Sequence, residues 1–324
     1  MRSEIKQEYT GVIILNYNNY EDTINCIESV DIYNTSKIKL IIVDNGSNRE
    51  STIDILDTYL EKRYEKLYQK FDSAPLSKTN LPYCSLIINN QNLGYACGNN
   101  IGLNLTSLDD TITHILILNN DVLFIQDIIP ELLRKLEMIK DCAIISPALY
   151  KKDMIDFDYT CARMAPTPRD LILECLMVAL GYNNFRDFIK RKYWLFVQNP
   201  KLMNEEVLKI QMPSGSCMLL QKDLFKSIGF FDPNTFLYFE ENILFAKIQR
   251  LGMSSYLLPQ LRCIHLGASS TNKSPSAFIQ MCGLKSRVYY LRTYCNLSIF
   301  LQILLGIAQY MMRIKICTKT ILNK

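Results

Sequence analysis

The sequence predicts an α/β protein whose mostly parallel sheet is covered by helices on both faces, with a helical C-terminal extension. Three observations carry that prediction. Five short, continuously apolar, β-branched runs recur through the first half: Gly11–Leu15, Leu40–Val43, Ser85–Asn89, His114–Leu118 and Cys142–Ser146. Such runs suit strands buried on both faces. Between them apolar residues take helical spacing, as in Ile24, Ile27 and Val30 or Ile53, Leu56 and Leu60. Strands alternating with helices in this way build parallel sheets. Near the end, Leu297–Met312 is apolar, with Gln302 and Gln309 as its only strong polar groups.

From Lys151 to Ile210 the alternation lapses. This stretch holds Pro166 and Pro168, an apolar helical run at Leu171–Leu180 and a basic cluster from Arg186 to Lys192. It reads as an insertion packed on the core. A strand is expected at Ser216–Gln221, a helix from Glu240 to Leu251 and a strand at Ser255–Leu258. The expected organisation is a ligand-binding α/β half over residues 1–150, a second half over 151–270 that contains the insertion, and a helical, apolar tail over 271–324.

A chain of 324 residues, 48% hydrophobic and 21% charged, can bury a substantial core. The net charge of +4 is small and lacks the concentrated basic face of nucleic-acid binders, so no nucleic-acid partner is expected. Eleven cysteines are irregularly spaced with no C-x-x-C pair. That argues against a zinc site and for free thiols in a reducing compartment. The polar first residues and the brevity of Gly11–Leu15 argue against a signal peptide, and a cytoplasmic location is expected.

Four predicted strands run into polar ends: Asn16-Tyr17-Asn18, Asp44-Asn45-Gly46-Ser47, Asn89-Asn90-Gln91-Asn92 and Asn119-Asn120-Asp121. Turn formation and helix capping account for any one of them. Four on one edge describe a polar crevice where parallel sheets bind ligands, beyond the carboxyl ends of the strands. With few cations there, a diphosphate would need a metal. Gly94 to Gly102 is glycine-spaced but is not G-x-G-x-x-G and follows the third run, not the first, which counts against a dinucleotide-binding enzyme. It reads as a loop entering a helix whose free N–H groups approach phosphate or sugar oxygens, with Asn99 and Asn100 adding side-chain contacts.

Taken in order, these pieces resemble the inverting family-2 glycosyltransferases with a GT-A fold, especially the bacterial branch that includes rhamnosyltransferases of surface-polysaccharide synthesis. The matching pieces are Ile13–Asn18, Val43–Ser47, Asn92–Gly102, Leu118–Val122, Gly215–Leu220, Ile228–Asn242 and His265–Ser269. The resemblance implies a GT-A-like sheet and transfer of a sugar from a nucleotide-sugar. It places Asp44 against the nucleobase, with Asn16 and Tyr17 beside it, and puts Gly94, Asn99, Asn100 and Asn120 on the donor side. Asn119-Asn120-Asp121 stands where the family carries D-x-D, so Asp121 alone keeps an anionic oxygen for Mn²⁺ or Mg²⁺. His265 occupies the family's late His position, near the metal or the diphosphate, although a lone His is more often structural.

The family's acidic helix start, E-D-x-D-L-x-x-R-x-x-x-x-G, reads here Glu240-Glu241-Asn242-Ile243-Leu244, with Lys247 and Gly252 at the later marks. The resemblance makes Glu241 the catalytic base. Neighbouring helix positions lie about 100° apart, so one of the two acids faces the cleft. Glu240 and Asp232, the latter in Gly229-Phe230-Phe231-Asp232, are the acceptor-side candidates. Two acids at a helix start and an Asp capping a turn explain the same residues without chemistry.

The expected activity is metal-assisted, inverting transfer from a UDP- or dTDP-sugar to a saccharide or lipid-linked saccharide. The thinned acidic motifs leave a non-catalytic nucleotide-sugar binder as the alternative, and the tail leaves a membrane-docked assembly subunit. Sixteen residues make a helix of about 24 Å, short of a hydrocarbon core of about 30 Å. The tail is therefore expected either to lie on the inner face of the membrane without spanning it, with Arg292, Arg313, Lys315 and Lys319 toward anionic headgroups, or to pack against the protein's own core.

Overall fold

The structure, a computed structural model, describes residues 7–47, 52–72, 77–267 and 276–322. Its first half runs β1 (Tyr9–Asn16), α1 (Tyr20–Tyr33), β2 (Ile38–Asn45), α2 (Thr52–Tyr64), β3 (Tyr68–Phe71), β4 (Cys84–Asn89), α3 (Gly94–Thr106), β5 (Ile112–Asn119), β6 (Val122–Phe124), α4 (Ile129–Met138) and β7 (Cys142–Tyr150). The second half runs α5 (Pro168–Ala179), α6 (Phe185–Tyr193), α7 (Leu195–Gln198), β8 (Leu208–Ile210), β9 (Cys217–Gln221), α8 (Lys222–Ser227), α9 (Glu240–Arg250), β10 (Ser254–His265), α10 (Ala277–Tyr294) and α11 (Ile299–Leu322).

One sheet joins the strands in the order β3-β4-β2-β1-β5-β9-β7-β10-β6, with β8 paired to β10. Strands β3, β4, β2, β1 and β5 are parallel neighbours, so the ends of β1, β2, β4 and β5 share one edge, as the polar ends required. β9 lies antiparallel between β5 and β7 and brings the second half into the first half's sheet.

Side-chain alternation along β1 divides the core. Val12 and Ile14 join Ile27 and Val30 of α1 and Leu56 and Leu60 of α2 in one cluster. Ile13 joins Ala96 and Leu103 of α3 in a second cluster on the opposite face. Because each strand is buried on both sides, the runs are continuously apolar instead of alternating. A third cluster gathers α5, α9, α10 and α11 through residues such as Ile172, Ile243, Val288 and Leu305.

All seven expected strands are present, as β1, β2, β4, β5, β7, β9 and β10. β3, β6 and β8, of four, three and three residues, were not expected, because so few positions carry no readable period. The tail also differs from its expectation. α11 has 24 residues, not sixteen, and at 1.5 Å per residue it is about 36 Å long. Arg313 and Lys315 were read as flanks but lie within the helix. Lys315 turns back to donate to the Val178 carbonyl and the Asn183 side chain. Length therefore no longer excludes a span, and Lys315 is engaged by the protein. Ser269 and the Lys319 side chain lie outside the described residues.

Candidate active site

β5 ends in the turn Asn120-Asp121, and β6 then pairs antiparallel with the end of β10, setting Val122 opposite His265. That pairing brings Asp121 and His265 together. His265 Nε2 is 3.4 Å from Asp121 Oδ2 and 3.4 Å from Ser216 Oγ. Its Nδ1 is 2.7 Å from Asp158 Oδ2. Asp158, from the insertion, is itself held by the backbone N–H and hydroxyl of Thr160 at 2.9 and 2.6 Å. Burial would lower the His265 pKa, but hydrogen bonds and charge from Asp121 and Asp158 outweigh it and raise it to about 10. Burial likewise opposes ionisation of Asp158, yet His265 and Thr160 hold its pKa below the ordinary value.

Asp121 is 8% exposed, and its Oδ1 is buried without a hydrogen-bond partner. An orphaned carboxylate oxygen is costly unless something fills its place. Beside it stands a His whose far nitrogen is fixed by a carboxylate, the usual support of a metal-ligating imidazole. Asp121, and His265 Nε2 once a cation displaces the proton it shares with Asp121, thus fit a divalent cation that takes its remaining ligands from diphosphate and water. Among the described residues no group of three or more His, Cys, Asp and Glu is gathered for a metal. Two protein ligands suit a cation that arrives with its nucleotide.

The turn Ser214–Ser216 links this corner to the acidic helix. The Ser216 carbonyl accepts from the Asn119 N–H at 2.8 Å, and the Gly215 N–H donates to Glu241 Oε1 at 3.1 Å. Tyr95 closes the turn by donating its hydroxyl to the Gly215 carbonyl at 2.7 Å. Arg163 of the insertion approaches the same Glu241 oxygen at 3.4 Å. At the start of α9 the two acids part. Glu241 is part-exposed, whereas Glu240 is 6% exposed with Oε1 unpartnered. Burial first, and then the Glu241 charge, push the Glu240 pKa up to about 8. Glu240 was expected at the acceptor; the helix turns it into the interior. Tyr238 and Phe239 precede it with φ of 71° each, a left-handed backbone that costs on the order of 1–3 kcal/mol per non-glycine residue. The Ile243 N–H bonded to the Phe239 carbonyl at 3.0 Å, and Ser286 bonded to the Leu237 carbonyl at 3.0 Å, hold that entry.

On the donor side Asn16 and Asp44 are both fully buried. Asp44 accepts from Asn16 Nδ2 at 2.7 Å, the Ser47 hydroxyl at 2.6 Å and the Ser47 N–H at 3.0 Å. These bonds brace the Asn45–Ser47 turn, and of the trio Tyr17 reaches the surface, at 37% exposure. Asn120 donates to Thr23 Oγ1 at 3.0 Å and ties the Asp121 turn to α1.

The glycine-spaced segment behaves differently from its expectation. The Gly94 N–H is bonded to Asn92 Oδ1 at 2.8 Å and the Tyr95 N–H to the Phe236 carbonyl at 2.9 Å, so neither is free for phosphate. A Cβ on Gly94 would sit 2.1 Å from the Phe236 carbonyl oxygen, and one on Gly102 would sit 2.8 Å from Ile13. Close packing therefore accounts for these glycines. Asn99 donates to the Tyr95 carbonyl, and Asn100 clasps the Phe231 backbone through both ends of its amide. Asp232 is also engaged by the protein, accepting from Tyr294 at 2.5 Å, Tyr289 at 2.9 Å and Asn234. Burial would raise its pKa, but these donors hold it low.

Beside Glu241 a cavity of about 430 Å³ opens between the insertion, the start of α9 and α10. Asp158, Arg163 and the cavity were not foreseen: the residues around Asp158 and Arg163 carry no periodic pattern, and the helical run Leu171–Leu180 gave no sign of what it packs against.

A family model described as glycosyl transferase family 2 matches residues 11–229. Among curated proteins, the N-acetylglucosaminyl-diphospho-decaprenol L-rhamnosyltransferase of Mycobacterium tuberculosis is 26% identical over 121 residues, in strains CDC 1551 / Oshkosh and ATCC 25618 / H37Rv alike. That match spans 37% of this chain and 37% of each relative. A solved structure, described as GalNAc-T7 with UDP, GalNAc and Mn²⁺, superposes with a TM-score of 0.61 at 13% identity. It covers 89% of this chain and 48% of that one. The likeness carries the fold: a GT-A-like, mostly parallel sheet flanked by helices.

Proposed function

The chain belongs to glycosyl transferase family 2, and on that premise we propose that it moves a sugar, with inversion, from a nucleoside-diphosphate sugar to a saccharide or lipid-linked saccharide acceptor. We place this reaction in surface-polysaccharide synthesis at the inner face of the membrane. The rhamnosyltransferase name of the curated relatives and the UDP and Mn²⁺ of the solved neighbour support the reading. The observation that carries it is the pairing, across the Ser214–Ser216 turn, of an unpartnered Asp121 oxygen with a part-exposed Glu241.

Asp121 and His265 would hold Mn²⁺ or Mg²⁺, which when bound neutralises charge on the departing diphosphate. Asp158 keeps the His265 ring oriented. Glu241 takes the proton of the acceptor hydroxyl as its oxygen bonds to the anomeric carbon, while the bond from that carbon to the diphosphate oxygen breaks on the opposite face. Gly215 and Arg163 fix the Glu241 oxygen they share. A largely uncharged Glu240 spares the helix start a second negative charge. Tyr17, with Asn16 and Asp44 shaping the turn behind it, and Asn120 form the donor edge.

The test is calorimetric titration with UDP and dTDP, with and without Mn²⁺, followed by donor turnover in the presence of membrane extract. Metal-dependent nucleotide binding with transfer supports the reading. Binding without transfer to any acceptor leaves a nucleotide-sugar binder instead.

A further inference from the structure

We propose that Trp194, backed by Tyr159, is the residue that selects and orients the acceptor, holding a pyranose ring by its C–H face with one hydroxyl at Glu241. The proposal rests on the transferase reading and assigns acceptor recognition to the insertion.

The indole is fixed by backbone bonds. Trp194 stands in extended backbone at the junction of α6 and α7. The Met164 N–H donates to the Tyr193 carbonyl at 2.9 Å, and the Leu195 N–H donates to the Ala162 carbonyl at 3.0 Å. Between these bonds Arg163 pairs antiparallel with Trp194 and also with Met212. The Arg163 guanidinium lies 3.4 Å from Glu241 Oε1, so the indole is one backbone pairing away from the residue that touches the base. Tyr159 lies nearly parallel to the indole, with ring centroids 5.8 Å apart and 13° between the planes. It directly follows Asp158, which orients His265. Residues 158–163 thereby support His265, back the Trp194 ring and reach Glu241.

The chemistry of that end of the cavity suits a sugar ring. Leu171, Cys175 and Val178 on the α5 side are 2–5% exposed and belong to the core. Thr160, Arg163, Trp194 and Glu241 line the same cavity and are part-exposed, so a ligand meets them first. A buried tryptophan usually finds a partner for its N–H. Among the described residues the Trp194 N–H has none, and the ring reaches the cavity. An apolar ring face beside a guanidinium, a carboxylate and a spare N–H matches a pyranose, whose C–H bonds give an apolar face and whose rim carries hydroxyls. Only two torsions set an indole, so it orients a flat ligand at small entropic cost. One hydrogen bond to Glu241 leaves the acceptor free to tilt, whereas a stacked ring holds its hydroxyl in line for attack.

Trp194 is the chain's one tryptophan, so fluorescence excited beyond the tyrosine band reports on this ring alone. The full chain is titrated with the methyl glycosides of glucose, galactose and N-acetylglucosamine, and with sorbitol, an acyclic polyol without a ring face. At least one pyranoside should give a saturable change that Tyr159→Ala, at a position 39% exposed, weakens; sorbitol should give none. A ring silent toward all three pyranosides, or one that answers sorbitol equally, overturns the proposal. Transfer to acceptors in membrane extract gives the second readout. Trp194→Ala should raise the extract concentration for half-maximal rate by about tenfold or more, the usual loss on truncating an aromatic anchor. Its kcat at saturating extract and its Mn²⁺-dependent binding of UDP or dTDP should stay close to the parent's. Trp194→Phe, which keeps an aromatic face, should recover most of the loss. A folded Trp194→Ala chain with the parent's half-saturation, or one that loses kcat alone, overturns the platform. Where its Tm shows that Trp194→Ala does not fold, Tyr159→Ala decides in the same assay by the same criterion. A parent that binds a pyranoside and transfers nothing sinks the transferase reading alone. A parent that transfers while Trp194 stays silent sinks the platform alone.

Discussion

Asp158 Oδ2 lies 2.7 Å from His265 Nδ1, so a residue of the irregular insertion sets the ring that faces Asp121. Carboxylates in this relation to a ligating His typically change metal affinity about 10–100-fold when removed. Asp158→Ala should weaken Mn²⁺-dependent binding of UDP or dTDP by about that factor. Asp158→Asn should lose less, because its amide oxygen still accepts from Nδ1–H. Asp121→Ala should abolish the metal dependence with the fold intact. Titration calorimetry decides, and unchanged affinity in Asp121→Ala rules out the metal role.

Glu241→Gln should remove transfer and keep donor binding, since Gln preserves the shape but takes no proton. Loss of a general base typically costs about 10²–10⁴ in rate. Glu240→Gln should stay active, because Gln resembles the protonated acid that the buried site already favours. Glu241→Asp should retain some activity, as the family's residue there is the shorter acid. Kinetics on the three variants would settle it, and an active Glu241→Gln enzyme would sink the base assignment.

The same burial predicts a pH dependence of stability. The Glu240 pKa rises from 4.5 to about 8 on folding, so between those values the folded chain keeps a proton that the unfolded chain has lost. Stability must then fall as pH rises through this window, and the loss levels off above about pH 8. Glu240→Gln carries no such proton. Its melting temperature should exceed the parent's by a margin that grows from pH 5 to pH 8. Parallel curves for the two proteins would contradict the raised pKa.

Gly215→Ala should impair chemistry without unfolding the chain. An added Cβ would meet Glu241 Oε1 and the Tyr95 hydroxyl at 3.1 Å each, so both must give way by a few tenths of an ångström. Misplacement of a catalytic group is expensive, and about a tenfold loss in kcat is expected. Donor affinity should hardly change. A wild-type kcat would show that the turn does not position Glu241.

α11 should bind a bilayer by its outer face. Leu305, Ala308, Met312 and Ile316 pack inward, while Ile303 and Ile307 stay 59% and 48% exposed. Of the twenty residues Ile299–Thr318, only those four are buried. Flotation with anionic vesicles should carry the full chain upward, and Ile303→Lys with Ile307→Lys should release it. Extraction at alkaline pH distinguishes a surface helix, which is released, from a spanning one, which is retained. A chain that ignores vesicles altogether has α11 as a packed helix and nothing more.

Much of the fold was legible because burial on both faces leaves a strong mark. β1, β2, β4, β5 and β7 stand where the continuous apolar runs lie, and the parallel order puts the polar ends of β1, β2, β4 and β5 on one edge. The pieces Leu118–Val122, Gly215–Leu220 and Ile228–Asn242 meet around one turn, although no local rule says that they should touch. The glycines of α3 show the limit of local reading. A glycine that admits a phosphate and one that admits a neighbouring backbone look the same in sequence, and here Phe236 and Ile13 occupy the space.

From sequence alone followed the α/β class, the family resemblance and the acids at the start of α9, since periodicity and residue chemistry are properties of short segments. Tertiary structure decided which acid is buried, what supports His265 and what lines the cavity. Those depend on β6 pairing with β10 and on an aperiodic insertion folding back over the sheet. Contacts between segments far apart in the chain are set by packing, and packing leaves no period to read.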